Sequence, residues 1–371
     1  MKKIPKVIIV LWIIFSCICI GCSKDIQKDY QGSWEWFIEP GKYKDIKLLE
    51  ENLICVQDGT GKYGVLNTEK EQIIEGQYKN ILGINDGILR VIDTEGNYWF
   101  IDLQNNKISQ ETFQAAYDFR EGRAAVKKND KWGFIDTLGN LVIDYQFDNV
   151  ADGFREKVAA VESNGEWFFV DMDGNSLFRD NYQQACSFSE GYAAVKKNDK
   201  WGFVDKDGRT AIDFQYEKVG NFSEGKVAVM KNFDNCPKWA YVNTENKIVI
   251  DYELYDQADG RIEMVGEFHD GYSMVSKGVY CLIDSEGKTM LGDDSYFLAA
   301  GNKYNSKSDL LVAYEYVDQE MLQTRYGIIN LEGNQKVPFV FNHISECKND
   351  LATVLYEQDE ISGVGVIRII N

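Results

Sequence analysis

Histidine is nearly absent: His269 and His343 are the only two in 371 residues. A histidine base would need a Ser or Cys nucleophile beside it, and no Gly-x-Ser-x-Gly elbow occurs to present one. Cysteines at metal-binding spacing are also missing beyond residue 22, where Cys55, Cys186, Cys236, Cys281 and Cys347 form no Cys-x-x-Cys or Cys-x-x-His motif. That removes support for a zinc site, and the odd count prevents complete pairing within the chain. A basic excess is lacking as well. The chain carries 40 Lys and Arg against 59 Asp and Glu, a net charge of −19. Binding through phosphate neutralisation needs a basic stripe, so no nucleic-acid partner is expected.

What is present begins at the N terminus. Lys2, Lys3 and Lys6 precede an apolar run from Val7 to Ile20 relieved only by Ser16, the charged start and hydrophobic middle of a secretory signal. The run is too short for a bilayer span of roughly 20 residues. It meets Cys19-Ile20-Gly21-Cys22, where Gly21 offers the small residue before a cut and Cys22 a thiol for lipid. This resembles a bacterial lipobox, with Cys19 where Leu is commonest. The expectation is a signal peptide over 1–21, a lipid on Cys22, a spacer over 22–33, and a body held at the extracytoplasmic face of the cell membrane. Loss of residues 1–21 takes the basic count to 37 and the net charge to −22. Such acidity keeps the body soluble and off the bilayer.

The rest of the chain repeats itself. EGRAAVKKNDKWGFIDTLGN at 121–140 returns almost unchanged as EGYAAVKKNDKWGFVDKDGR at 190–209, and a diverged copy lies midway. Alignment on an aromatic-Gly pair gives nine positions: Tyr63, Tyr98, Trp132, Trp167, Trp201, Trp239, Tyr280, Tyr326 and, weakly, Val364. The early intervals are 34 or 35 residues and the later ones reach 46. Units this small cannot bury a core alone and must stack on their neighbours. Val158 to Val161 and Trp167 to Val170 flank Ser163-Asn164-Gly165, which reads as a β-hairpin. Alanine pairs such as Ala124-Ala125 recur opposite the aromatic strand and leave room for a bulky ring. The recurring rings are therefore expected as framework and shared interior, with Gly133 and Gly202 clearing space for a close backbone approach. Cys55 and Cys281 take the places of Ala125 and Gly133, as small buried fillers. Rings displayed for sugar stacking are the alternative, and Tyr314 and Tyr316, outside the frame, suit that role better.

KWGFID at 131–136, KWGFVD at 200–205 and the FREG and FSEG motifs at 119, 188 and 222 are similar to bacterial WG (KWG) repeats. The resemblance covers about 36–369. It implies an all-β array and recurrent secretion or surface display, and no catalytic residues to carry over. The phase adds detail: Ile38 to Ile46 matches Ile143 to Val150, so the chain enters partway through a unit and leaves at the aromatic-strand position. An N-terminal strand can thus complete the last unit, as in a closed β-propeller, although nine units exceed the usual four to eight blades. An open solenoid of hairpins is the alternative.

Candidate chemistry is sparse. Asp-x-Asp-Gly at 171–174 and 205–208 invites calcium, but related turns at Asp93, Asp136, Asp284 and Asn330 vary the ligands, so a tight turn after the aromatic strand is expected and no metal. His269 and His343 replace Ser189 and Asn149 at tolerant positions. Glu121, Glu156, Glu190, Glu224 and Asp270 recur at one position per unit, which suits a loop hydrogen bond better than a single active site. The sequence therefore reads as one all-β repeat domain over 34–371, with no catalytic residue and no cofactor. Binding to an envelope protein or wall glycan through the variable loops of about 232–320 is expected, with a glycan-hydrolysing protein as the alternative.

Overall fold

A computed structural model describes residues 33–370, apart from 179, 235, 256–264, 277–278, 293–296, 300–308, 319–322 and 359–360. The signal segment, Cys22 and the spacer up to residue 32 lie outside the described residues, as does part of the variable region. Those that are described form nine antiparallel sheets of three or four strands and no helix. Each sheet is one repeat unit, a blade, and blades 1 to 9 follow in chain order over 45–78, 80–101, 115–147, 149–170, 184–216, 218–255, 272–291, 297–341 and 343–369. Blade 3 is typical: Ala115–Ala116, Arg123–Lys128, Lys131–Asp136 and Leu141–Phe147 pair in sequence order. Two-residue turns with both residues at positive φ, such as Asn129-Asp130, Asn164-Gly165 and Asn198-Asp199, join the second and third strands. That backbone matches the twist of the flanking strands.

The ring closes. The N-terminal strand Trp34–Ile38 pairs antiparallel with Ile361–Ile369, Trp34 opposite Ile369, and completes blade 9 as its fourth strand. Phe37, Ile38, Leu351 and Val366 of that blade pack with Ile46, Leu48 and Ile54 of blade 1. The open stack is thereby replaced by a nine-bladed β-propeller, whose last blade is built from both ends of the described chain.

Among the described residues, nine hydrophobic clusters fill the nine junctions, and each holds the aligned residue of the blade before it, an aromatic ring in all but the last, where it is Val364. Tyr63, Trp132 and Trp239 are buried there, while Tyr98, Trp167, Trp201, Tyr280, Tyr326 and Val364 are partly buried against the clusters. The deepest rings are others, which the aromatic-Gly alignment overlooked. Phe134 meets Phe154 of the next blade at 4.8 Å, Phe169 meets Phe188 at 5.0 Å, and Phe203 meets Phe222 at 5.0 Å, all fully buried. These pairs join the Phe two residues after the aligned ring to the Phe that opens the next unit's acidic turn. They, and not the Trp rings, face the small residues: Ala125 lies opposite Phe134, and Trp132 opposite Lys127.

Gly133 performs the expected task. A Cβ there would lie 2.6 Å from the Ile143 carbonyl oxygen of the fourth strand, and one at Gly202 would stand equally close to Ile212. Blades 2 and 4 carry Trp99 and Phe168 at this position, and there the fourth strand is reduced to isolated bridges at its ends, Tyr98 with Phe113 and Trp167 with Tyr182. The bridge that joins Phe134 to Ile143 in blade 3 has no counterpart in them. One side chain thus decides whether a blade has a regular fourth strand.

The candidate interaction face

Strands alternate in direction within a blade, so the first-to-second and third-to-fourth turns emerge on one face and the second-to-third turns on the other. The first face carries the recurring acids. Glu121-Gly122 is a two-residue turn with φ of 52° and 75°, and Glu190-Gly191 and Glu224-Gly225 repeat it. Glu51, Asp86, Glu156, Asp270 and Asp309 take the same left-handed backbone in their blades, with Asn349 in the ninth. A side chain in that conformation is strained by roughly 1–2 kcal/mol.

A contact to the next blade offsets the strain. Glu121 accepts the backbone N–H groups of Glu156 (3.0 Å) and Lys157 (2.7 Å). Glu190 accepts those of Glu224 (2.7 Å) and Gly225 (2.8 Å). Glu156 accepts from Gly191 and Glu224 from Gly271, each at 3.0 Å, and Glu51 accepts from Gly87 at 3.1 Å. At the seam Asn349 donates to Asn52 at 3.0 Å. In these turns Glu51, Glu121, Glu156, Glu190 and Glu224 hand their carboxylates one blade forward, whereas Asp309 accepts the N–H of Leu331 in its own blade. Other polar contacts run beside it: Arg90 donates to Asp118 at 2.7 Å, Asn221 to Glu267 at 2.9 Å, and Ser187 to Asp152.

A hollow of about 410 Å³ opens on this face between blades 4 and 5, lined by Glu156, Glu190, Tyr192, Asp205, Lys206 and Asp207. Partial burial works against ionisation of Glu156, but the Lys206 ammonium at 2.9 Å and the Gly191 N–H outweigh it and hold the carboxyl below its ordinary range. The neighbouring Asp-x-Asp-Gly turns are internally occupied. Asp171 accepts the N–H groups of Asp173 and Asn175 on one oxygen and the Asn175 amide on the other. Asp136 and Asp205 accept the matching pairs of turn N–H groups. Asp93 accepts the same pair of N–H groups but, against the expectation, lies before its aromatic strand, in the second-to-third turn of blade 2. The turn that follows that strand starts at Asp102.

The remaining candidates scatter. His269 closes the turn at Asp270-Gly271, as Ser189 does in blade 5. His343 is exposed on blade 9 beside Tyr326, ring centroids 4.9 Å apart, with its proton affinity lowered by partial burial. Tyr314 stacks on Phe297 at 5.4 Å and 22°, which covers one of its faces, and Tyr316 meets both edge-on. Burial pushes the Cys55 thiol up to about 12.

The family described as WG containing repeat matches over 63–99, 100–132, 132–167, 167–201, 201–232 and 326–357, more than half of the chain. The chain belongs to the WG-repeat family. The matched segments start and end near the aligned rings, so each runs from one junction to the next. No curated protein matches the chain. Among solved structures it is similar to a eukaryotic initiation factor, at 11% identity over 81% of this chain and 88% of that one, with a TM-score of 0.56. It is also similar to BamB from Moraxella catarrhalis, at 10% identity over 89% and 92% with a TM-score of 0.38, and to the WD40 domain of SCAP from fission yeast, at 9% over 92% and 98% with 0.36. At these identities the likeness concerns fold alone, and only the first superposition is close enough to bear on it.

Proposed function

We propose that this WG-repeat propeller is a non-catalytic interaction protein, held by lipid on Cys22 at the extracytoplasmic face of a bacterial membrane, whose partner is an envelope protein or a wall glycan. The observation that carries the reading is the carboxylate clasp. The recurring acids are the groups from which an active site could most readily have been built, and Glu121, Glu156, Glu190 and Glu224 are bound to backbone N–H groups of the adjoining blade. The carboxyls with resolved shifts among the described residues all move down. Asp148, held low by the Lys131 ammonium, is one. A glycosidase acid needs the opposite direction. These facts support binding over the glycan-hydrolysing alternative.

Two measurements test the proposal. Cys22→Ser should move the chain from the membrane fraction to the soluble one, and an unchanged distribution would remove the lipid anchor. The body from Trp34 onward should retain a defined envelope protein or glycan in pull-down and glycan-array assays. Hydrolysis of a wall glycan by the purified protein would overturn the non-catalytic reading.

A further inference from the structure

Asn164-Gly165 is the one Asn-Gly pair in the sequence. It stands exposed at the second-to-third turn of blade 4, with φ of 55° and 81°. An asparagine followed by glycine is open to cyclisation, because no side chain on the second residue shields its backbone nitrogen from the amide carbon before it. In a folded chain the reaction depends on what holds that nitrogen and on how readily the turn opens.

Two sister turns supply the comparison. Asn129-Asp130 and Asn198-Asp199 share the left-handed backbone and the exposure, yet in each the nitrogen that would attack is bound. The Asp130 N–H donates to the Gln114 side chain at 2.9 Å, and the Asp199 N–H to Gln183 at 2.8 Å. In blade 4 the residue in the place of these glutamines is Asp148, and it accepts the N–H of Asn164 instead, at 2.8 Å. Among the described residues the Gly165 N–H and the Asn164 side-chain amide donate to nothing. Glycines that follow an aspartate differ: Gly87 donates to Glu51, Gly174 to Asp171, Gly208 to Asp205 and Gly271 to Glu224. The hairpin around Asn164 is also less braced than its sisters. Glu166–Val170 pairs with Val158–Ser163 on one side, and on the other meets only the bridges at Trp167 and Val170.

We propose that Asn164 is a site of spontaneous deamidation and isomerisation in the folded protein, with solvent water as the co-reactant. The Gly165 nitrogen forms a bond to Asn164 Cγ, the Cγ–Nδ2 bond breaks, and ammonia leaves with the proton that nitrogen gave up. Water then opens the cyclic imide. Attack at the side-chain carbonyl yields aspartate, whereas attack at the main-chain carbonyl reroutes the backbone through Cγ and yields isoaspartate. Either product places a new carboxylate among Asp148, Glu162 and Glu166, with Lys131 already paired to Asp148 at 2.5 Å. Isoaspartate also adds a carbon to a two-residue turn whose length sets Ser163 opposite Glu166, so the match between turn and strand twist is lost.

The test is peptide mapping by mass spectrometry of the full chain, held folded in mildly alkaline buffer. Position 164 should acquire the mass gain of an amide turned acid, in two chromatographic forms. It should do so about tenfold faster than Asn129 or Asn198, the factor one net hydrogen bond can supply. Gln183→Ala, which frees the Asp199 N–H, should speed conversion of Asn198 severalfold and leave Asn164 unchanged. Gly165→Asp, which recreates a turn that blades 3 and 5 already accept, should slow conversion at 164 to the sister rate. Hydrogen exchange at residues 158–170 should be faster in the aged chain than in the fresh one. An Asn164 that stays intact in the folded chain while the urea-unfolded chain converts would overturn the proposal, as would conversion no faster than at the sister turns. Aspartate alone, with no isoaspartate, would replace the cyclic route by direct hydrolysis and overturn it equally.

Discussion

Gly133 offers a graded test of how a blade acquires its fourth strand. A Cβ at this position would stand 2.6 Å from the Ile143 carbonyl oxygen and 3.0 Å from two more backbone atoms of that strand. Backbone cannot swing aside as a flexible side chain can, so the strand itself must move. Blade 6 shows how far a methyl group can be accommodated: Ala240 occupies the matching place and Tyr241 still pairs with Ile250. Gly133→Ala should therefore cost about 1 kcal/mol, at the low end for an overpacked site. Gly133→Phe should reproduce blade 4, where Phe168 stands and the middle of the fourth strand has left the ladder. The bridge from Phe134 to Ile143 would break and Ile143, now buried, would be uncovered. Uncovering an Ile costs about 1.5–3 kcal/mol, and with the lost bond the total reaches about 3 kcal/mol. Urea unfolding followed by tryptophan fluorescence gives the stability difference, and hydrogen exchange at residues 141–147 reports the strand directly. If Gly133→Phe unfolded within about 0.5 kcal/mol of Gly133→Ala, the scatter of an ordinary surface change, and protection of that segment were unaltered, the steric account of three- and four-stranded blades would be refuted.

Acid should loosen the ring at the clasp. The folded pKa of Glu156 lies below its ordinary value of 4.5, so its contribution is complete above that value and is lost as pH falls through the folded pKa. Thermal midpoints should decline below about pH 4.5, and Glu156→Gln should show a shallower decline than wild type. The Cys55 thiol, buried and pushed up to about 12, should resist iodoacetamide at pH 8 in the native protein and react on unfolding; labelling of the folded chain would show that blade 1 opens locally. Removal of Trp34 to Ile38 should strip blade 9 of its fourth strand and uncover Val366 and Ile367, seen as increased dye binding and a lowered melting temperature, and an unchanged melt would count against closure through that strand.

Much of this architecture was legible in the residues. The turns at Asn164-Gly165 and its sisters, the narrow approach at Gly133 and the loop role of Glu121 to Asp270 all follow from local rules, and each recurs often enough to separate framework from variation. The interior was read only partly. Trp132 is the more conspicuous ring, yet Phe134, two residues on and so on the same face of the strand, is the more deeply buried, because both enter one junction and only the packing against Phe154 of the next blade decides which sits deeper. Asp93 misled for a related reason, since similar Asx turns close both ends of a blade and spacing alone does not tell them apart.

The sequence by itself determined the hairpin unit, its number and its phase, including the offset that sends the first strand to the last blade. All of these rest on hydrogen bonding and side-chain alternation within about 35 residues, and they are repeated until the pattern is unmistakable. Only the tertiary structure decided that nine units bend into a ring and that the carboxylates of Glu51, Glu121, Glu156, Glu190 and Glu224 reach the backbone of the following turn. The angle between two blades depends on the volume packed into their junction, where Phe134 meets Phe154 and Glu121 meets Lys157. Those contacts join residues some 20 to 36 positions apart in sequence, and no local periodicity encodes that distance.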